Sequence, residues 1–209
     1  KGHPFDLPLV LKNGAVIWCP KRDDYSHRHL LSQDEVRHVI TAFNDNALTP
    51  FVFTLSAQGK HAVYHGTLKS TTEQKLAELF EDERDLPLEP LSNMSEGDAV
   101  INVSTMGSAA GVEAIIEAIT HEPHLVAYAG TAIQAKELRW LDIHHSQGSK
   151  ANGISALKRE LNIDQVIVFG DGENDLSMFA IADEAYAPEN ADPEVKAAAH
   201  RVIGHHNED

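Results

Sequence analysis

Val166-Ile167-Val168-Phe169 restricts the fold more than any other stretch: four apolar residues in a row, running directly into Gly170-Asp171-Gly172-Glu173-Asn174-Asp175. A strand without polar alternation has no face to offer to water, so it reads as buried inside a parallel sheet with helices on both sides. Its neighbours fit. Ala151, Ile154, Leu157 and Leu161 line one face of a preceding helix, and Leu176 to Ile181 reads as a following one. Ala185 to Ala187 reads as a further strand, and Pro193, at a natural first-turn position, opens a helix over Glu194 to Ala199. Helix, buried strand, loop, helix, strand is the pattern of an α/β, doubly wound parallel sheet.

The rhythm upstream is different. Leu7–Leu11 and Ala15–Trp18 flank Asn13-Gly14, a strand–turn–strand signal because both turn residues tolerate positive φ. Ser32-x-x-Glu35 and Ser70-x-x-Glu73 have capping-box spacing and open two helices, the first carrying Val36, Val39, Ile40 and Phe43, the second Leu76, Leu79 and Phe80. Pro50–Leu55 and His61–Tyr64 read as strands joined around Gln58-Gly59, and Glu81 to Gly97 as an acidic surface connection with Pro87 and Pro90. Ala99–Ser104, Leu125–Tyr128 and Leu138–Ile143 read as strands, and Ala109–Ile119 as a helix. Residues from about 20 to 142 therefore form a mixed α+β module, too irregular for a βαβ array.

Charge removes several function classes. Lys and Arg total 17 against 32 Asp and Glu, a net −15, and a field of that sign repels a nucleic-acid backbone. It admits small anions where a bound cation or a local lysine reverses the sign. No apolar run approaches the roughly 20 residues of a membrane helix, and Lys1-Gly2-His3-Pro4 begins no signal peptide. The single cysteine, Cys19, closes no internal disulfide, which suits a reducing cytoplasm. The 13 histidines include His27-x-His29, His144-His145 and His205-His206, but no spaced Cys or His set supports zinc, and adjacent strand histidines point to opposite faces. Surface histidines are expected, with His144 or His145 bordering the site through nearness to Lys150.

The chemistry concentrates in the 170–175 loop. In an open α/β sheet ligands sit beyond the carboxyl ends of the strands, where Asp171 falls, and Gly170 and Gly172 let the backbone turn sharply beside a ligand. Asp171 and Asp175 put two hard carboxylates on one side of the turn, with the Asn174 amide between them, a donor set that suits Mg²⁺. Asp175 equally suits a plain N-cap before Leu176. Lys150 stands at a helix start, where the dipole disfavours cations; a lysine there can hold an anion together with the helix amides.

Ser149-Lys150-Ala151-Asn152-Gly153, followed by Val168-Phe169-Gly170-Asp171-Gly172-Glu173-Asn174-Asp175-Leu176-Ser177-Met178, resembles the haloacid dehalogenase (HAD) superfamily, and within it the Cof-type subfamily IIB phosphatases. Asn13-Gly14-Ala15 is similar to that branch's segment leading into its cap. Ala191, Lys196, Ala197–Ala199 and Asn207-Glu208-Asp209 are similar to its ending. The resemblance implies a Rossmann-like parallel-sheet core, residues 1–18 and 143–209, with an inserted α+β C2-type cap over 19–142. It implies a Mg²⁺-dependent phosphatase of small phosphorylated metabolites such as sugar phosphates, working through an aspartyl-phosphate. It further implies that Lys150 neutralises the transferring phosphoryl group, Asp171 ligates Mg²⁺, Asp175 supports the metal shell and Asn174 contacts the phosphate. Tyr64, Met106 and Arg139 are candidate cap contacts, and core packing or solvation explains each equally well.

One departure matters. The family's nucleophile ends an apolar strand as Asp-x-Asp, and these 209 residues contain no Asp-x-Asp. Its second motif, a Ser or Thr ending a core strand, has no candidate before Leu7, and Ser56 falls in the inserted module. The expectation is a chain that enters the family pattern after its first two motifs and by itself lacks the covalent step. A phosphomutase, or a non-catalytic protein that binds Mg²⁺ and phosphate, are the alternatives.

Overall fold

The computed structural model describes residues 6–56, 59–83, 86–132 and 135–208; Lys1 to Pro4, Gln58 and Asp209 of the sequence analysis lie outside them. The chain divides into two compact units, Lys1–Arg28 with Gln147–Asp209, and His29–Ser146.

The first unit opens with Leu9–Leu11 (β1) and Val16–Cys19 (β2), antiparallel across a 3-10 turn at Lys12–Gly14, and Asp24–Arg28 (β3) extends the pair from β2. The turn follows from its sequence: Asn13 sits at φ 55 and Gly14 at φ 104, the left-handed region that Asn and Gly tolerate best.

The second unit contains Gln33–Asp45 (α1), Phe51–Leu55 (β4), His61–His65 (β5), Thr71–Glu78 (α2), Leu88–Pro90 (β6), Ala99–Ser108 (β7), Ala109–Ile119 (α3), Leu125–Ala132 (β8) and Ala135–His145 (β9). Both capping boxes form: Ser32 and Ser70 accept from the N3 backbone while Glu35 and Glu73 reach back. The strands make one six-stranded sheet, β6-β5-β4-β7-β9-β8, in which only β5 and β6 run parallel. On one face Val52, Val103, Leu141 and Ile143 pack against Val36, Val39 and Phe43 of α1 and Val112 and Ile115 of α3. Each such burial contributes about 2 kcal/mol. On the other face Phe51, Phe53 and Val63 pack against Ala77 of α2 and Phe80 beyond it.

The first unit resumes with Lys150–Glu160 (α4), Ile167–Phe169 (β10), Leu176–Phe179 (α5), Glu184–Pro188 (β11), Pro193–Ala198 (α6) and Arg201–Ile203 (β12). β10, β11 and β12 form a parallel sheet in that order, so the unit is α/β as the apolar strand specifies. Val168, Ala185, Ala187, Met178, Phe179 and Val195 make its core.

Several details depart from the sequence analysis. Strand alternation sends only Val168 of β10 into the core, while Ile167 and Phe169 stay 51% and 63% exposed, Phe169 stacking on Tyr186. The units divide after Arg28 and Ser146, not after 18 and 142, because β3 continues the first hairpin and β9 carries the six-stranded sheet to His145. The 81–97 connection contains β6, which Val63 joins by donating to Pro87. Among the described residues no helix is long and apolar enough to cross a membrane.

Gly14 is the most constrained backbone position, since a Cβ there would lie 2.1 Å from the Ser149 carbonyl oxygen. Gly14→Ala should lower the first unit's stability by about 3 kcal/mol, through the positive φ and the clash together. Gly97→Ala, with nothing within 4 Å of a new Cβ, is the control and should stay within about 0.5 kcal/mol. Urea midpoints measure both.

Candidate active site

Two backbone approaches fix the start of α4. Gly14 lies against the Ser149 carbonyl and the Lys150 amide, and Gly153 lies against Val10 of β1, where a Cβ would meet a Val10 methyl at 2.6 Å. Ser149 caps the helix, its hydroxyl accepting the Asn152 N–H at 3.1 Å. Lys150 is therefore the first residue of a helix whose N-terminus is held by the Asn13-Gly14 turn.

Gly170 to Asp175 folds around one carboxylate. Asp175 is 3% exposed, and its Oδ2 accepts the N–H of Asp171 at 2.9 Å and of Gly172 at 3.1 Å. Its Oδ1 takes the Lys150 ammonium as an ion pair. Gly170 is required for this, because a Cβ there would lie 2.5 Å from the Asp175 Cβ. The N-cap alternative gives way: Asp175 precedes α5 but makes no side-chain cap bond to it, its carboxylate being spent on the loop and on Lys150.

Asp171 is placed otherwise. Its carbonyl accepts the Asp192 N–H at 3.1 Å, while its carboxylate is exposed and takes no hydrogen bond from the described residues. It borders a cleft of about 400 Å³ at the carboxyl ends of the parallel strands, with Phe169, Pro188, Ile203, His205 and His206. Asn174 donates through Nδ2 to Asn13 Oδ1 at 3.0 Å. The structure thus pairs Lys150 with Asp175 and Asn174 with Asn13 by hydrogen bonds, and links Asp171 to Asp175 through its backbone N–H. Asn13, which the sequence analysis reads as a turn residue, is bonded to the candidate loop; its signal is the asparagine of an Asn-Gly turn.

As a metal site the donors suit a hard cation. Mg²⁺ is held by one or two carboxylates and keeps several waters, which the open Asp171 carboxylate permits. Both Asp175 oxygens are already engaged by donors. Among the described residues no cluster of three or more His, Cys, Asp or Glu forms a self-contained metal cage.

The remaining candidates belong to the second unit. His144 is buried on β9, and His145 stacks between His29 and His124 at centroid distances of 6.2 and 5.6 Å. Tyr64 packs on the α1–α3 side of the sheet, and burial there, with Asp98 beside it, holds its phenol above the usual range. Arg139 pairs with Glu113 of α3 at 3.3 Å, and Met106 stands on the opposite sheet face, across from Trp140.

Residues 2–209 match the family model of haloacid dehalogenase-like hydrolases. A Mycoplasma pneumoniae protein carrying a provisional assignment as a phosphatase is 27% identical over 180 residues, covering 83% of this chain and 63% of that one. The Escherichia coli 5-amino-6-(5-phospho-D-ribitylamino)uracil phosphatase is 45% identical over 60 residues, 28% of this chain and 22% of that one. The chain thus spans less than two thirds of the length of either relative. Among solved structures, a haloacid dehalogenase-like hydrolase from B. subtilis superposes with a TM-score of 0.74 at 19% identity, over 95% of this chain and 74% of that one. A HAD subclass IIB sugar phosphatase superposes with a TM-score of 0.69 at 20% identity, over 95% of this chain and 70% of that one.

The two aspartates should part company in a stability assay. Asp175→Ala strands Lys150 and two loop amides and should cost about 3 kcal/mol, the scale of breaking a buried pair. Asp171→Ala removes an exposed carboxylate and should change stability by no more than about 0.5 kcal/mol. Equal losses in urea unfolding would refute the division of roles.

Proposed function

The chain belongs to the haloacid dehalogenase-like hydrolases, and from that premise we propose that it carries the lysine and metal-loop part of a Mg²⁺-dependent phosphomonoesterase acting on small phosphorylated metabolites, sugar phosphates among them. One observation carries the proposal. Asp175 is the acid that holds Lys150 in place and, through the Asp171 and Gly172 amides, also fixes the loop from which Asp171 projects. A cation and a free carboxylate are thereby held by a single buried anchor.

The chemistry follows from where charge develops. In phosphoryl transfer negative charge spreads over the phosphoryl oxygens, and catalysis consists mainly of positioning and of neutralising that charge. Lys150, held by Asp175, supplies one positive charge without reorganisation. Asp171 is the residue that would hold Mg²⁺, which supplies further positive charge to the phosphoryl oxygens when bound. Asp175, its oxygens taken, positions both. Asn174, tied to Asn13, holds the loop against the hairpin turn. The His29–Ser146 unit takes the place of the cap in this proposal.

The covalent step implied by the family resemblance needs a carboxylate of an Asp-x-Asp pattern, which must come from outside these 209 residues. The same fact favours a second role, a non-catalytic protein that binds phosphate and Mg²⁺. An assay of the gene product carrying these residues separates them. Mg²⁺-dependent phosphate release from p-nitrophenyl phosphate and hexose phosphates, abolished by EDTA, is expected. Lys150→Met should lower kcat by about 10³-fold, and Asp171→Asn should raise the Mg²⁺ concentration needed for half-maximal rate. Saturable phosphate binding without turnover would support the binding role, and turnover unaffected by EDTA would overturn the metal dependence.

A further inference from the structure

The three neighbouring strands of the parallel sheet end in loops at one edge. Asp171 stands two residues beyond β10, Asn190 two beyond β11 and His205 two beyond β12. His205 and His206, a pair that the sequence analysis places on the surface, line the same cleft as Asp171. They take no part in the bonds that hold Lys150 and the 170–175 loop.

Hydrogen bonds pin both rings and fix where each proton sits. Asn190 grips residue 206 twice: its Oδ1 accepts the His206 backbone N–H at 3.1 Å, and its Nδ2 meets His206 Nδ1 at 3.3 Å. The first bond settles which end of the amide is oxygen, so Nδ2 donates and Nδ1 accepts. The Asn207 backbone N–H, a donor only, points at His205 Nδ1 from 3.2 Å. The Glu208 N–H closes the turn by donating to the His205 carbonyl at 2.8 Å. A neutral imidazole that accepts at Nδ1 carries its hydrogen on Nε2. Both rings therefore present an Nε2–H, and among the described residues neither Nε2 has a hydrogen-bond partner. The rings meet edge to face, with centroids 4.7 Å apart, so the two donors belong to one small rim.

Two uncharged donors select their ligand. A transition metal needs a bare ring nitrogen, and in each ring the bare nitrogen is already taken by a donor. Among the described residues no three His, Cys, Asp or Glu side chains are grouped to hold a metal ion. The pair suits oxygen acceptors instead, and hydrogen bonds are strongest where the acceptor is charged. Asp171 and Glu208, carboxylates of the same cleft, oppose an anion, so a divalent cation on Asp171 strengthens its binding. We propose that His205 and His206 donate from Nε2 to an oxyanion in the Asp171 cleft. As a statement about binding, the proposal stands on the histidine geometry alone; the choice of phosphate as the oxyanion rests on the phosphatase reading above.

Long-range ¹H–¹⁵N spectra of the full chain, at about pH 8 where an ordinary imidazole is neutral, report which nitrogen of each histidine is protonated. His205 and His206 should both show a bare Nδ1 and a protonated Nε2. Inorganic phosphate added with Mg²⁺ should shift both Nε2 signals saturably, whereas Mg²⁺ alone should move the Gly172 amide and leave the two rings unchanged. Glutamine carries its amide N–H near the Nε2 position and asparagine near Nδ1, and His206 is exposed, so both variants fold. His206→Gln should keep phosphate affinity and His206→Asn should lose about tenfold, one hydrogen bond to a charged acceptor. A protonated Nδ1 in either ring, no phosphate-dependent shift, or equal affinity in the two variants would each overturn the proposal. Histidine shifts that are the same with and without Mg²⁺, beside a silent Gly172 amide, would count against the Asp171 metal loop and leave the histidine pair standing.

Discussion

A buried carboxylate that satisfies three donors at once is the constraint on which the first unit turns. Desolvating Asp175 costs several kcal/mol, and the cost is met only because an ammonium and two loop amides converge on it. Convergence in turn demands glycine at 170, so that the backbone comes within reach of the side chain. It also demands that α4 begin where it does, which the Gly14 contact with Ser149 enforces. The carboxylate thus ties the helix start to the strand-end loop, and the Gly14 contact and the Asn13–Asn174 bond add the β-hairpin turn. A site whose geometry is over-determined in this way is held before any ligand arrives, the condition under which fixed charges stabilise a transition state most effectively.

Much of this was legible in the residues, and the exceptions have physical causes. The capping boxes at Ser32 and Ser70, the hairpin at Asn13-Gly14 and the parallel placement of β10 depend on local chemistry, which a sequence displays. The partner of Asp175 does not. Two acids four residues apart looked like equivalent metal donors, yet one is turned inward by lysine 25 residues upstream and the other outward into a cleft. Sequence spacing places side chains on a loop but does not say which oxygen meets which donor. β3, β6 and β12 were invisible for a related reason. Asp24-Tyr25-Ser26-His27-Arg28 has no apolar alternation, and Leu88–Pro90 and Arg201–Ile203 are three residues each, strands only because a neighbour pairs with them.

The two sheets spend their faces differently. The parallel sheet presents strand ends to chemistry, as its connectivity requires. The antiparallel sheet commits one face and part of the other to helices, and the remainder carries Asn102, Ser104 and Asp142, hydrogen-bonded to one another. That explains why Trp140, Met106 and Tyr128, large enough to be core residues, stand outside the apolar clusters while Ile143 and Leu141, their neighbours in sequence, lie within them. A single strand, β9, supplies both sets by alternation, so a one-residue slip in its register would exchange the core for the polar patch.

Electrostatics supplies the link between the acidic chain and an anionic ligand. Asp171, Glu173 and Asp175 against Lys150 leave the loop with a net charge of −2, inside a chain of net −15. A phosphate monoester approaching that loop is repelled overall, and the Lys150 ammonium is already paired. The helix start beneath Lys150 contributes only about half a positive charge. One divalent cation on the free Asp171 carboxylate brings the local balance from −2 to neutral, removing the repulsion where the phosphoryl group would lie. Lysine and carboxylate therefore do not suffice separately: the proposed phosphate chemistry requires that the outward acid remain unpaired, and the inward acid keeps it so by absorbing the lysine.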